Sequence, residues 1–314
     1  MDAAPMAQKP MAQKPARKAR TGRLQRRESL AGWLFVAPML LGISIFTLFP
    51  ILIMLILNFV DWDFVLGLEK FSWAGLDNFE QLIDDRRFHK TWMNNMIFMF
   101  TVPVCMAISL LLAIIINKHV FLKDFFKVIY FMPYISSVVA VAVVWQVLFH
   151  PSKGPVNQFL RMIGISDPPR WIADPDWALL SVMMISIWIS IGFNMIVYMA
   201  GLQAIPKDLY ESAEIDGAGG WTKFRKITLP LISPTTFFLL ITGIIYTFKS
   251  FDLIAVLTKG GPAGSTSLMV WYMYETAFLN LKIGYASAIG TVLFISVLII
   301  TLVQWAGQKK WVNY

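Results

Sequence analysis

The chain has 314 residues, of which 57% are hydrophobic and only 15% charged, with a mean hydropathy of +0.62. Soluble domains carry about 25% charged residues, so this composition excludes an ordinary soluble protein and points to a polytopic membrane protein. The net charge of +8 gathers at one end and in alternate loops, which is the demand of membrane insertion rather than of a nucleic-acid surface.

Residues 1–29 are rich in Pro, Ala, Gln, Lys and Arg and repeat the pentapeptide MAQKP at 6–10 and 11–15. Such a segment cannot bury a core and is expected to be a disordered basic tail. No small-residue cleavage site ends the long apolar stretch that follows it, so it does not read as a cleavable signal. The basic run 17–27 could contact anionic lipid, but a topology anchor is the expected role.

Six apolar stretches, at 31–59, 94–116, 128–149, 177–200, 235–257 and 284–306, are each long enough to cross a bilayer as a helix, which needs about 20 residues. Backbone groups in lipid must be satisfied within the segment, so the expected class is all-α with six transmembrane helices. The domain organisation is then a tail, a membrane domain over 30–306 and a short tail over 307–314.

Six spans put both termini on one side, together with the loops 117–127 and 201–234. That side carries 17 Lys and Arg against 7 acids, whereas the three opposite loops carry 9 bases and 11 acids. The positive excess assigns the termini and the 201–234 loop to the cytoplasm. Trp62, Trp92, Trp145, Trp177 and Trp271 fall near one set of span ends and Trp33, Trp305 and Trp311 near the other, as an interfacial aromatic belt requires.

Enzyme chemistry finds no foothold. His89, His119 and His150 lie on three different loops, so no metal cluster is expected. The lone Cys105 falls within a span and excludes an intrachain disulfide. The glycines at 217, 219 and 220 suggest a phosphate loop, but that motif needs Gly-Lys-Ser/Thr opening a helix, and Gly-Lys occurs nowhere in the chain. The chain is therefore expected to bind no cofactor.

The 201–234 loop is the polar exception in an apolar chain. Pro206 can start a helix where its missing N–H is harmless, and 207–215 offers good helix formers. Gly217, Gly219 and Gly220 allow a reversal, and a second short helix over 222–227 is expected to end before Pro230. Leu209, Ala213 and Ile215 are expected to face the membrane domain, with Asp208, Glu211 and Glu214 presenting acid. Loops this long carry function more often than short ones.

Glu211, Ser212 and Ala213, then Asp216 and Gly217, then Ile227, Leu229 and Pro230 together resemble the EAA loop of binding-protein-dependent ABC importer permeases, with Ser212 in place of an alanine. A second segment, Phe251 through Lys259, Gly260, Gly261 and Pro262 with Ser265 and Thr266, resembles the carbohydrate-uptake branch, including the larger maltose-transporter permease. The resemblance covers roughly residues 30–306 and implies the type I ABC importer permease fold. It also implies that the loop is a coupling helix seated on a separate ATPase chain, where ATP and Mg would bind, with Glu211 as the acidic contact and Gly217 as the turn. Implied partners are a second permease subunit as a heterodimer, two ATPase subunits, an external solute-binding protein and the lipid of a bacterial inner membrane.

The resemblance further implies a sugar path at mid-membrane between the helices flanking that loop. The matching positions are Ser186, Ile189, Ser190 and Phe193 before it, and Gly243, Tyr246, Thr247 and Ser250 after it. Each set has i, i+3, i+4, i+7 spacing and so forms one helix face. Hydroxyls and rings suit a sugar, although Ser and Thr also join helices to one another. The asparagines of the maltose site are not reproduced at these positions. The first opposite-side loop, 60–93, is too short for a domain, and Gly75, Asp77, Asn78 and Phe79 resemble shorter members of the branch. Contact with a binding protein is expected on the loops 60–93, 150–176 and 258–283.

Two alternatives stay open. The cargo could be glycerol 3-phosphate or another polyol derivative. Alternatively, Lys249 and Asp252, three apart on one helix face, could serve an ion-coupled secondary transporter.

Overall fold

A computed structural model describes residues 21–62, 67, 71–117 and 121–313, with the side chains of 21–27 and Phe71 outside the description. Residues 1–20 of the expected tail, and His119, lie outside the described residues. Two compact units divide at Ile53 and Met54.

The first unit is helical. Helix α1 (Thr21–Ile43) begins ahead of the expected span, so residues 21–29, expected as disordered, form its first turns. A wide π-turn, Ser44–Leu48, leads into α2 (Phe49–Leu57), and Glu28–Leu57 is long and apolar enough to cross a membrane.

The second unit takes in the last residues of α2 and then a two-stranded antiparallel ribbon, β1 (Val60–Trp62) against β2 (Phe71–Trp73), the one sheet among the described residues. Helix α3 (Asp77–Asp84) follows. Then α4 (Arg86–Phe98) and α5 (Thr101–Asn117) together make one span. The third expected span is broken. Helices α6 (Lys123–Ile135) and α7 (Val138–Leu148) meet at 96°. Pro133 cannot donate to the helical ladder, Ser136 is extended at φ −74°, ψ 152°, and its hydroxyl bonds back to the Met132 carbonyl at 2.8 Å.

After α8 (Pro155–Met162), the 29-residue α9 (Pro175–Gln203) starts from Asp174, whose carboxylate accepts from the Asp176 amide at 2.9 Å. It packs along α5 and crosses α6 at Gly192, where a Cβ would stand 2.0 Å from the Tyr130 carbonyl oxygen. Only glycine permits that approach, and tight packing of this sort joins helices in lipid, where apolar burial adds little.

Helix α10 (Lys207–Ile215) follows Pro206 as expected. The second helix of the loop is longer than expected: α11 (Gly220–Lys223), a π-turn over Phe224–Thr228 and α12 (Leu229–Leu231) run on through Pro230. In these two π-turns the wide ring closes just before a proline, Pro50 or Pro230, with Phe49 bonded to Ser44 and Leu229 to Phe224, whereas a third, Glu275–Leu279, has no proline after it. A proline ring clashes with the carbonyl four residues back in a regular helix, and the wider turn removes that conflict. Helix α13 (Ser233–Phe248) then departs at 60°.

The fifth expected span ends early. Phe251 leaves the helical region (φ −125°, ψ −57°), and α14 (Asp252–Leu257) starts afresh. Lys249 and Asp252 therefore share no helix face. Both are exposed and, among the described residues, they form no ion pair. Helices α15 (Met269–Tyr274) and α16 (Ile283–Gln308) complete the unit. Counting each bent pair as one span gives six.

The core gathers at α5, α9 and α13 around Met195, Tyr198, Leu239 and Phe248. Trp271, expected in the interfacial belt, is instead buried and stacked on Phe251 at 5.9 Å, whereas Trp33, Trp177 and Trp305 stay exposed.

Candidate functional site

The expected site residues fall in two places, and α13 joins them. The first is the 201–234 loop. Helix α10 ends in a complete reversal: Ala218 N–H donates to the Ala213 carbonyl at 2.8 Å and Gly217 N–H to that of Glu214 at 3.0 Å. This closure needs a left-handed residue at Gly217 (φ +75°), where a side chain would be strained. Glu211, Ser212 and Asp216 are exposed.

The face that α10 turns inward is not the expected one. Tyr210 packs against the core and its hydroxyl meets that of Thr228 at 2.9 Å. Ala213 is half-buried, but Leu209 and Ile215 are exposed, Ile215 at 86%. Pinning Tyr210 fixes the rotation of a helix of under three turns, and Ile215 then points away. With Trp221, 72% exposed on α11, these side chains give the loop an apolar surface beside its acids. Lys223 pairs with Glu214 at 3.1 Å and ties the two short helices together.

Pro230 and Ile232 form the elbow to α13. Ile232 is fully buried, the Ser233 hydroxyl donates to the Pro230 carbonyl at 2.6 Å, and it accepts from the Asn313 amide at 2.9 Å. Ile227 packs on the core, whereas Leu229 is exposed.

The second place is a cavity of about 210 Å³ between α5, α9 and α13, closed on one side by Tyr134 of α6. Ser186, Ser190, Phe193, Gly243, Tyr246 and Thr247 line it, six of the eight expected positions. Ile189 does not: it is buried among the core side chains of α7 and α14. Ser250 does not either, because α13 ends at Phe248 and the chain turns away. On α9 the lining face is turned by about one residue, taking in Ile187 and Asn194 in place of Ile189.

Sequence reasoning missed Thr101, Cys105, Tyr134, Asn194 and Thr242. An asparagine does reach the cavity: the Asn194 amide donates to the Cys105 sulfur at 3.2 Å. Tyr134 stacks on Phe193 with centroids 4.8 Å apart and planes 18° from parallel, and Tyr246 is half exposed. The walls thus offer hydroxyls, one amide and an aromatic platform, and none of the described lining residues is charged.

At the opposite ends of the helices, Asp85 caps α4 through the Arg87 amide at 2.8 Å and accepts the hydroxyls of Tyr272 and Tyr285. Partial burial pushes the Asp85 carboxyl up, but these hydroxyls and the amides of Arg87 and Phe88 outweigh it and hold it below the usual range. Burial and the Asp85 acceptor raise the Tyr272 phenol to about 12.

Comparison with known proteins identifies the family. A family described as binding-protein-dependent transport system inner membrane component matches residues 105–311. The sn-glycerol-3-phosphate transport system permease protein UgpA of Agrobacterium fabrum is 34% identical over 90% of this chain and 96% of its own length. The lactose transport system permease protein LacF of Rhizobium radiobacter is 33% identical over 91% and 97%. Among solved structures, a chain of a bacterial alginate ABC transporter, crystallised with its alginate pentasaccharide-bound periplasmic protein, superposes with a TM-score of 0.79 at 26% identity, covering 93% of this chain and 98% of that one. The chain is a multi-pass membrane protein and belongs to the family of inner membrane components of binding-protein-dependent transport systems.

Proposed function

We propose that the chain is one permease subunit of an ATP-driven importer in a bacterial inner membrane, with both termini cytoplasmic, and that its cargo is an uncharged sugar or oligosaccharide. The observation that carries the cargo is the cavity: hydroxyls, the Asn194 amide and the Tyr134–Phe193 stack, without a charged wall. A phosphate entering it would lose water and meet no cation, a cost of several kcal/mol. That argues against glycerol 3-phosphate, although one relative bears that name.

In this reading the subunit pairs with a second, related permease, two ATPase chains and an external binding protein. The exposed Glu211, Ser212 and Asp216, with the apolar Leu209, Ile215 and Trp221, form the surface that an ATPase chain holds. Ala213, Gly217, Ile227, Leu229 and Pro230 shape it and join it to α13. Because Tyr210 and Lys223 fasten the two short helices together and Ser233 braces the elbow, displacement of Glu211 moves α13 and with it Gly243, Tyr246 and Thr247. The cavity then opens to alternate sides. The exposed, unpaired Lys249 and Asp252 offer no shared ion site, which weighs against a self-sufficient secondary transporter.

The test is uptake into proteoliposomes holding the assembled transporter and its binding protein. Labelled neutral oligosaccharides are expected to accumulate only with ATP inside the ATPase compartment, and glycerol 3-phosphate is expected not to. Preferential uptake of the phosphate would overturn the neutral cargo. Uptake driven by an ion gradient without ATP would overturn the importer itself.

A further inference from the structure

A cluster of bases on the face away from the Glu211 loop has no part in the cavity or in the coupling surface. Arg86, Arg87 and Lys90 on the first turns of α4 face Lys259 and the 260–264 turn across an open pocket of about 470 Å³. Among the described residues, the one acid paired with this group is Glu275, which takes Arg87, whose guanidinium also lies 4.9 Å over the Tyr272 ring. Asp85 is consumed by its two tyrosines and the amide of Arg87. Lys90 donates to a neutral group, the Ala263 carbonyl, at 2.8 Å. Among the described residues, Arg86, Lys90 and Lys259 therefore have no counter-ion.

The other wall is backbone. Lys259, Gly260, Ala263 and Gly264 all have positive φ, and the turn is held by Thr258 to Thr266 at 2.7 Å and Thr266 to the Gly261 carbonyl at 2.8 Å. A braced wall with so few side chains lets another molecule's backbone approach the three cations closely. We propose that Arg86, Lys90 and Lys259, with the 260–264 turn, dock carboxylates on the external solute-binding protein. The inference rests on the importer reading above and adds the surface and the chemistry of that contact.

Two other anions fit less well. A lipid headgroup site needs an apolar wall for the acyl chains, and among the described lining residues Ala263 is the sole one with a wholly apolar side chain. An anionic cargo held here would next enter a cavity whose described lining residues carry no charge to receive it.

The experiment titrates the assembled transporter in nanodiscs with its binding protein, comparing wild type with the double variant Arg86→Glu, Lys259→Glu. Charge contacts of this kind govern association and its salt dependence. At low salt the variant is expected to bind the binding protein about tenfold more weakly. Raising salt to 0.5 M is expected to weaken wild type toward the variant and to change the variant little. At saturating binding protein, ATP-driven uptake by the variant is expected to match wild type, which shows that it folds and assembles. Equal affinity in wild type and variant overturns the proposal. So does a defect that vanishes in nanodiscs of phosphatidylcholine alone, which would assign the pocket to anionic lipid, or one seen only with an anionic cargo. If wild type shows no ATP-driven uptake, the importer reading fails instead, a result distinct from all of these.

Discussion

The Tyr210 hydroxyl lies 2.9 Å from the Thr228 hydroxyl, joining the middle of α10 to the π-turn that leads into α12. Thr228 is buried, and its hydroxyl also reaches the Lys223 carbonyl at 3.5 Å. The bond makes two short helices, neither of which would be stable alone, move as one piece. Tyr210→Phe removes it at a cost of about 1 kcal/mol. Cargo moved per ATP hydrolysed is expected to fall by up to about fivefold. Thr228→Val in the same background should add little, and a fully additive double mutant would show that the two residues do not act together.

Glu211 stands exposed on the same helix, beside an apolar surface that serves no purpose in water. Glu211→Lys is expected to leave membrane insertion and pairing with the second permease intact while lowering ATPase-chain binding by tenfold or more, since reversing one member of a charge pair costs about 2–5 kcal/mol. Co-purification of the subunits and uptake measure the two effects. Wild-type transport by this variant would remove Glu211 from the docking surface.

Much of this was legible from sequence because it rests on chain-local rules. Pro206 and the 207–215 helix formers specify a short helix and Gly217 its turn, and the structure has α10 over Lys207–Ile215 with Gly217 left-handed behind it. The rotation of α10 was not legible, since Leu209 and Ile215 are apolar and only a bond to Thr228, 18 residues away, decides that Tyr210 faces inward. On α9 the same kind of ambiguity moved the cavity face from Ile189 to Asn194, because a helix apolar nearly all round has no periodicity to fix its orientation. The breaks at Ser136 and Phe251 were hidden for another reason: hydropathy counts length and composition, and neither records a change of direction. Pro133 was the one local sign.

The cavity is small, so its response to added volume is sharp. Ser190→Trp would place an indole in a space of about 210 Å³ and is expected to abolish uptake. Tyr246→Ala removes a half-exposed ring and is expected to raise the KM for uptake by up to about tenfold, the scale of one aromatic contact. Unchanged uptake kinetics in both variants would place the path elsewhere.

Gly192 sets the distance between α9 and α6, and Tyr134, one turn beyond Tyr130 on α6, forms the cavity's closing wall. Gly192→Ala forces backbone apart rather than a flexible side chain, with an expected cost of about 1–3 kcal/mol. Its Tm in detergent should drop clearly below that of Gly219→Ala, a glycine with open space around it, and cargo affinity should fall as Tyr134 shifts. Equal Tm values for the two variants would show that the crossing yields.

The Asp85 cluster ties the start of α4 to α15 and α16, and its protonation sets the pH range of that tie. Asp85 is held below the usual carboxylate range in the fold, so its contribution is present above its unfolded pKa and fades as pH falls through the folded one. Tyr272 is raised to about 12, so its contribution is whole below about 10, the unfolded value, and is lost as pH climbs through about 12. Tm in detergent is therefore expected to hold level between about pH 5 and pH 9 and to decline on both sides. Asp85→Asn should lower the plateau and flatten the acid limb, while Tyr272→Phe should flatten the alkaline limb. A variant that lowers Tm equally at every pH would mean that the cluster packs without acting through its charge.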